Sequence, residues 1–304
     1  MSVLALLKRS YFRLCLALGQ VLRSARYSVT HVVSTEGALQ LRKRWRFYAP
    51  LLISVGRELL RLLDAGVRVL PQREWEQRER ELYWSLRGTP IRIDDGVIVL
   101  PVLHGKTLAS LLATPELDES IQRGAMTLAT VALSELHRLG FTHGDAMAEN
   151  VMVDLDADIA RWFDFETIHD PDRPMVWRRA DDVRALLMTC LAHTGADRSA
   201  ETVRLIVDTY ADRDVTGVLA DSVASAWHRA LPLHLGQASL SYECYHEVGR
   251  LLNERRQRRS SITTPSKNHG TENRQRLKDL PERRSGLEKR LPRHPTGDVR
   301  PAGS

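Results

Sequence analysis

Residues 136–166 read LHRLGFTHGDAMAENVMVDLDADIARWFDFE, and this stretch decides the fold. Apolar residues at three- and four-residue steps from Ser120 to Leu139 predict a long amphipathic helix, ended by Gly140. A tight turn follows, holding His143-Gly144-Asp145. Asn150 lies five residues after Asp145, at the entry to a hairpin. Its strands run from Asn150 to Leu155 and from Ile159 to Phe163, around Asp156-Ala-Asp158. The second strand leads into Asp164-Phe165-Glu166. Asp and Asn at one mouth of a hairpin and Asp at the other bring three oxygen-bearing side chains together. Mg2+ takes oxygen ligands, usually one or two carboxylates plus substrate phosphates. A third carboxylate nearby can orient or deprotonate an attacking hydroxyl. Those are the protein's contributions to phosphoryl transfer, which rests on positioning and charge neutralisation. A surface hairpin with unremarkable acids is the competing reading, and the fixed offsets weigh against it.

At these residues the chain resembles the protein-kinase-like superfamily, in its small-molecule branch of aminoglycoside and choline-type phosphotransferases. Kinases carry H-R-D-x-x-x-x-N and, after a hairpin, D-F-G. The small-molecule branch has H-G-D and often D-x-E or D-x-D, matched here by HGDAMAEN and DFE, with 14 residues from Asn150 to Asp164. The resemblance implies that Asp145 is the catalytic base or hydroxyl-orienting residue and that His143 supports the catalytic loop. It implies Asn150 and Asp164 as Mg2+ ligands, with ATP and Mg2+ as cofactors. The run VIVLPVLHGKTLASLL resembles the strand, hinge and helix joining two lobes, so Leu100, Pro101, Val102 and Leu103 would line the adenine contact. Asp182 in ADDVRALL resembles a buried helix-start Asp that braces the catalytic loop; a plain helix N-cap is the equal alternative.

The amino-terminal part departs from the pattern. Kinases cover the phosphates with a Gly-rich loop and hold them with a strand lysine paired to a helix glutamate. No G-x-G-x-x-G occurs, and Gly37 is the one glycine between two predicted strands, Tyr27 to Val33 and Ala38 to Trp45. Before the hinge the only lysines are Lys8 and Lys43. Glu58, in a helix predicted from Leu51 to Ala65 and closed by Gly66, is the only acid between Glu36 and Asp64. Lys43 and Glu58 are therefore the expected pair; the other reading makes both surface charges. Residues 72–82, dense in Glu and Arg, read as solvent-facing.

Composition sets the wider frame. The 304 residues are 43% hydrophobic and 27% charged, which suits a soluble chain with a sizeable core. The three cysteines never form C-x-x-C, which excludes a disulfide scaffold and a thiolate zinc site and fits a reducing, cytoplasmic setting. Charge is unevenly spread: residues 1–49 carry a net +8, residues 104–252 a net −10 and residues 253–304 a net +8. No apolar run is long enough to span a bilayer. Residues 3–25 read as a helix, either packed on the domain or resting on an anionic membrane surface. The carboxy-terminal run lacks aromatics and apolar periodicity and reads as disordered, with nucleic acid an unfavoured partner. The histidines outside the motif, His137 and His169 among them, show no ligand spacing and read as packing or surface residues.

The expected organisation is a leading helix over 1–27, an amino-terminal lobe over 28–103, a helical catalytic lobe over 104–252 and a basic tail over 253–304. The fold class is α+β, two-lobed and kinase-like. The expected activity is ATP- and Mg2+-dependent phosphoryl transfer. Only 18 residues separate Asp164 from Asp182, and Met147 stands where Ser/Thr kinases carry Lys. Both argue for a small-molecule, sugar or lipid-headgroup acceptor rather than a protein. Alternatives of the same fold are a kinase of lipopolysaccharide core or another envelope component and a small ATPase of a tRNA-modifying assembly. A nucleotide-binding pseudokinase scaffold is the non-enzyme reading.

Overall fold

The computed structural model describes residues 10, 28–35, 38–62, 64–195, 197–224 and 240–262. The expected leading helix, apart from Ser10, the turn glycine Gly37 and residues 263–304 lie outside the described residues. The class is α+β: a small antiparallel sheet with two helices forms the amino-terminal part, and the remainder is mainly helical.

The amino-terminal sheet is built from β1 (Ser28–Thr35), β2 (Ala38–Trp45), β4 (Arg92–Asp94) and β5 (Val97–Pro101), in the order β1-β2-β5-β4. All pairings are antiparallel, with Val32 opposite Leu41 and Leu41 opposite Leu100. Thr30 faces Lys43, which faces Ile98. Paired residues share a sheet face and alternate residues change face. Leu41, Lys43, Trp45, Ile98 and Leu100 therefore point to one side. That side packs on α1 (Ala49–Leu62) through Ala49 and Ile53, and on α2 (Gln72–Arg87) through Trp75 and Tyr83. Trp45 and Trp75 stack with ring centroids 5.7 Å apart.

Helix α2 corrects one expectation. Its polar composition suggests a solvated helix, but Trp75, Glu79, Leu82 and Tyr83 are buried. They recur at four, three and one residues, so a single stripe goes inward while the remaining Glu and Arg face water. Helix α1 ends at Leu62, earlier than its apolar spacing suggests, and Gly66 follows in the left-handed region at φ +72°. A Cβ there would lie 2.5 Å from the ring of Trp177, so the turn needs glycine on both counts.

The helical part begins with β6 (Lys106–Thr107) and α3 (Leu108–Leu112), whose first turn is capped by the Thr107 hydroxyl. Helix α4 (Glu119–Arg138) follows, then a one-turn 3-10 helix (Ala148–Asn150) and the hairpin β7 (Val151–Asp154) and β8 (Ile159–Trp162). After β9 (Thr167–His169) come α5 (Met175–Thr194), α6 (Ser199–Tyr210), α7 (Arg213–Ala224) and α8 (Tyr242–Ile262). Their core joins Met126 and Leu133 of α4, Leu186 and Leu187 of α5, Ile206 of α6, Leu219 of α7 and Val248 of α8. Helix α8 continues ten residues beyond the expected boundary at Leu252, because Arg255 pairs with Asp208 and Arg256 with Asp221. Among the described residues no helix is long and apolar enough to cross a membrane.

Backbone pairing and side-chain hydrogen bonds join the two parts. The strand β3 (Val67–Val69) pairs antiparallel with β9, continued by the Leu70 N–H donating to the Glu166 carbonyl at 2.8 Å. Arg78 donates to the Thr142 carbonyl at 2.7 Å, and Arg87 to that of Trp162 at 2.9 Å. Helix α2 is thereby tied to the loop carrying His143 and to the hairpin leading to Asp164.

Candidate active site

The turn after α4 is set by hydrogen bonds that its short polar sequence supplies. His143 is buried, and its Nε2 lies 2.9 Å from the Phe163 carbonyl. The Asp145 N–H donates to His143 Nδ1 at 3.3 Å. A carbonyl only accepts and an N–H only donates, so the ring is the neutral tautomer with its proton on Nε2. Burial is the main reason its pKa falls to about 4. His143 thus aligns the loop as a neutral imidazole at neutral pH. Asn150 donates its amide to the Asp145 carbonyl at 2.8 Å and to Asp145 Oδ2 at 3.1 Å. That use of Nδ2 leaves the Asn150 side-chain Oδ1 for another partner. Gly144, at φ +85°, passes so close to β9 that a Cβ would lie 2.8 Å from the Thr167 carbonyl.

Asp182 braces this turn. Its two oxygens accept the backbone N–H groups of His143 at 2.7 Å and Gly144 at 2.8 Å. His137 Nε2 lies 2.9 Å from Oδ2, and Tyr210 caps the other His137 nitrogen at 2.7 Å. Burial favours neutral Asp182, but His169 and the His137 hydrogen bond outweigh it and hold the carboxyl far below the usual range. Asp182 is not a helix cap: α5 starts at Met175, with Pro174 at its N-cap, and Asp182 sits two turns inside. Beside it His169 bridges Thr142 at 3.0 Å and Asp181 at 3.1 Å, and Asp181 pairs with the buried Arg184. His137 and His169 are buried parts of this network rather than isolated packing residues.

Lys43 reaches across from β2. Its ammonium pairs with both Asp164 and Glu166 and lies 5.0 Å from the Trp75 ring centroid. Burial alone would depress Lys43, but the carboxylates of Asp164, Glu166 and Glu79 outweigh it and keep the ammonium protonated. Burial also opposes ionisation of Asp164, yet the Lys43 charge holds its carboxyl below the usual range. Burial and the Asp164 charge push Glu166 up to about 7. Asp164 adopts φ +69°, a left-handed conformation that Asp tolerates better than most residues.

The expected Lys43–Glu58 pair does not form. Glu58 lies on the outer side of α1, 65% exposed, and pairs with Arg61 at 2.9 Å. The buried helix acid near Lys43 is Glu79, 1% exposed. Its Oε1 accepts from the Trp75 indole and from the Phe165 N–H, each at 3.2 Å. Burial raises its pKa, with Lys43 acting against it. A signal for Glu79 exists in the sequence, since it is the acid in register with Trp75, Leu82 and Tyr83. Glu166 was legible only as a motif letter, and its contact with Lys43 depends on the packed arrangement.

Of the remaining expected residues, Leu100 is buried in the sheet core, Pro101 is exposed, and Val102 and Leu103 are half-buried. The structure thus brings Lys43 to Asp164, and Asp145 to Asn150 and His143, and leaves Glu58 apart. On the Lys43 face of the sheet, Val32 stays exposed and Leu41 half-buried, an apolar surface between the strand lysine and the Leu100 connection.

No family model and no curated protein matches this chain. Among solved structures, one similar chain is the crystal structure of Rad53 1–466 in complex with AMP-PNP. The two share 14% identity over 75% of this chain and 57% of that one, with a TM-score of 0.30. This chain therefore spans a little over half of that one's length. The α+β class rests on the element order described above.

Proposed function

We propose that this protein is an ATP- and Mg2+-dependent phosphotransferase acting on a hydroxyl of a non-protein acceptor. The observation that carries this reading is the ion pair of Lys43 with Asp164, a strand lysine held against the carboxylate that follows the hairpin. Asp145 and Asn150 are hydrogen-bonded to each other in the loop before that hairpin.

The donor set suits a divalent cation. Asp164 offers a carboxylate that stays ionised, and Asn150 offers the amide oxygen its hydrogen bonds leave over. When bound, Mg2+ would neutralise phosphate charge as the phosphoryl group transfers. Lys43 would hold phosphate oxygens, with Glu79 and Glu166 keeping its ammonium charged. Val32 and Leu41 would pack on the base. Pro101 has no N–H, so a donor to the adenine edge at this connection would be Val102 or Leu103. Asp145 would orient or accept the proton of the acceptor hydroxyl, its carboxylate aimed by the Asn150 amide. A compact acceptor is favoured because β9 pairs with β3 and the chain turns directly into α5. That leaves few residues for a peptide-holding segment.

Thermal-shift titration with ATP, with and without Mg2+, tests binding, and an ATP-consumption assay with hydroxyl-bearing metabolites tests turnover. Mg2+-dependent stabilisation that Asp164→Ala abolishes is the expected result. Unchanged Mg2+-ATP stabilisation in that variant refutes the assignment, and binding without turnover on any acceptor would turn the reading to a scaffold.

A further inference from the structure

Helix α1 has two apolar sides. Ala49, Ile53 and Leu60 face inward, while Leu51 is 69% exposed, Val55 61% and Phe47, in the preceding turn, 95%. Leu51 and Val55, four residues apart, share the outer side with Glu58, and Phe47 stands exposed in the turn that leads into it. A helix packed on one sheet needs a single apolar face, and a second stripe headed by a protruding phenylalanine marks a surface for contact.

The rim of the stripe identifies the kind of contact. Arg46, beside Phe47, and Arg57 and Arg61, on the same helix, are exposed. Glu58 is the acid of that helix and is already paired with Arg61. Ser28, at the start of β1, pairs with Trp45, two residues before Phe47. Residues 1–27 carry five cations and no acid. Seating them on the stripe would press like charges together, as would a second copy of the same basic surface. Leu51 and Val55 also offer nothing to a nucleic-acid backbone. A cationic rim around Phe, Leu and Val suits a surface with anionic headgroups and hydrocarbon just beneath.

We infer that the outer face of α1, with Phe47 at its head, docks on an anionic lipid bilayer. The aromatic ring and the two aliphatic side chains enter the headgroup boundary while the arginines contact lipid phosphates and carboxylates. This docking stands independently of the phosphotransferase reading.

The test uses the full chain with vesicles of phosphatidylcholine, alone or mixed with phosphatidylserine, in co-sedimentation across a salt series. Binding is expected to the mixed vesicles only and to weaken with salt. Phe47→Ser/Leu51→Ser/Val55→Ser keeps every charge and is expected to bind about tenfold more weakly, with the parent's melting temperature. Phe47→Ser alone, at a site where folding is not at stake, is expected to lose about threefold. Parent protein that binds no mixed vesicles, or that binds duplex DNA in preference to them, overturns the inference. So do serine variants that bind vesicles as the parent does, because the affinity then comes from the cationic ends of the chain. A lower melting temperature or a changed oligomeric state in the triple variant also overturns it, by showing the stripe covered in the free protein.

Discussion

Lys43 and Asp164 stand 121 positions apart in the chain and form an ion pair. Strand β2 brings the lysine, and the turn after β8 brings the carboxylate. The same ammonium pairs with Glu166 and sits near Glu79, so three acids share one cation. On the proposed function, a bound metal ion would share these acids with Lys43.

Replacing Lys43 with Met leaves those acids buried without their cation. The variant is expected to lose about 3 kcal/mol of stability at pH 8, the order seen when one partner of a buried pair is removed. The loss should be smaller at pH 5, where Glu166, raised to about 7, is protonated and part of the repulsion is relieved. Urea denaturation at the two pH values checks this. An equal loss at both would mean that Lys43 acts through packing on Trp75 instead.

Glu79 and Glu58 should separate cleanly. Glu58→Ala removes an exposed charge and is expected to leave both Mg2+-ATP binding and the melting temperature close to those of the parent. Glu79→Ala removes the acceptor of the Phe165 N–H and an acid beside Lys43. It is expected to destabilise by about 1–3 kcal/mol and to weaken nucleotide binding. Thermal-shift titration of both variants decides, and a reversed ranking would restore Glu58 as the partner.

Asp145→Asn keeps the size of the side chain and removes its charge. On the proposed role it should leave ATP affinity nearly unchanged and lower turnover by about two to four orders of magnitude. Parent-like turnover, measured with ATP hydrolysis if no acceptor is found, would show that Asp145 takes no part in the chemistry.

Stability should depend on pH through the buried histidines. His169 and His143 are each held near 4, below their usual value, chiefly by burial. The unfolded chain therefore binds more protons between pH 6.5 and 4, and stability present above that window is lost as pH falls through it. Each shift corresponds to about 3 kcal/mol. Glu166 and Glu79 act in the opposite sense, because their raised values favour the folded state at lower pH. His169→Asn isolates the histidine contribution: its stability should fall less steeply than the parent's between pH 6.5 and 4. Parallel curves would show that His169 does not titrate on unfolding.

Local spacing in the chain already determined much of this protein. The helix from Glu119 to Arg138 and the hairpin from Val151 to Trp162 follow from periodicity and turn residues, and fixed offsets singled out His143, Asp145, Asn150 and Asp164. The rarity of lysine singled out Lys43. Which helix supplies its acidic neighbour was decided only by packing. Periodicity states which residues share a helix face, but not which face meets the sheet. The stripe of Trp75, Glu79, Leu82 and Tyr83 went inward with its acid, while the stripe of Leu51 and Val55 stayed outside. The roles of His137 and His169 were equally hidden, because a lone histidine has no meaning until Asp182 and Asp181 of another helix come within hydrogen-bond reach. Spacing along a chain sets the faces that each element offers, and only the burial of some faces against others decides which charges meet.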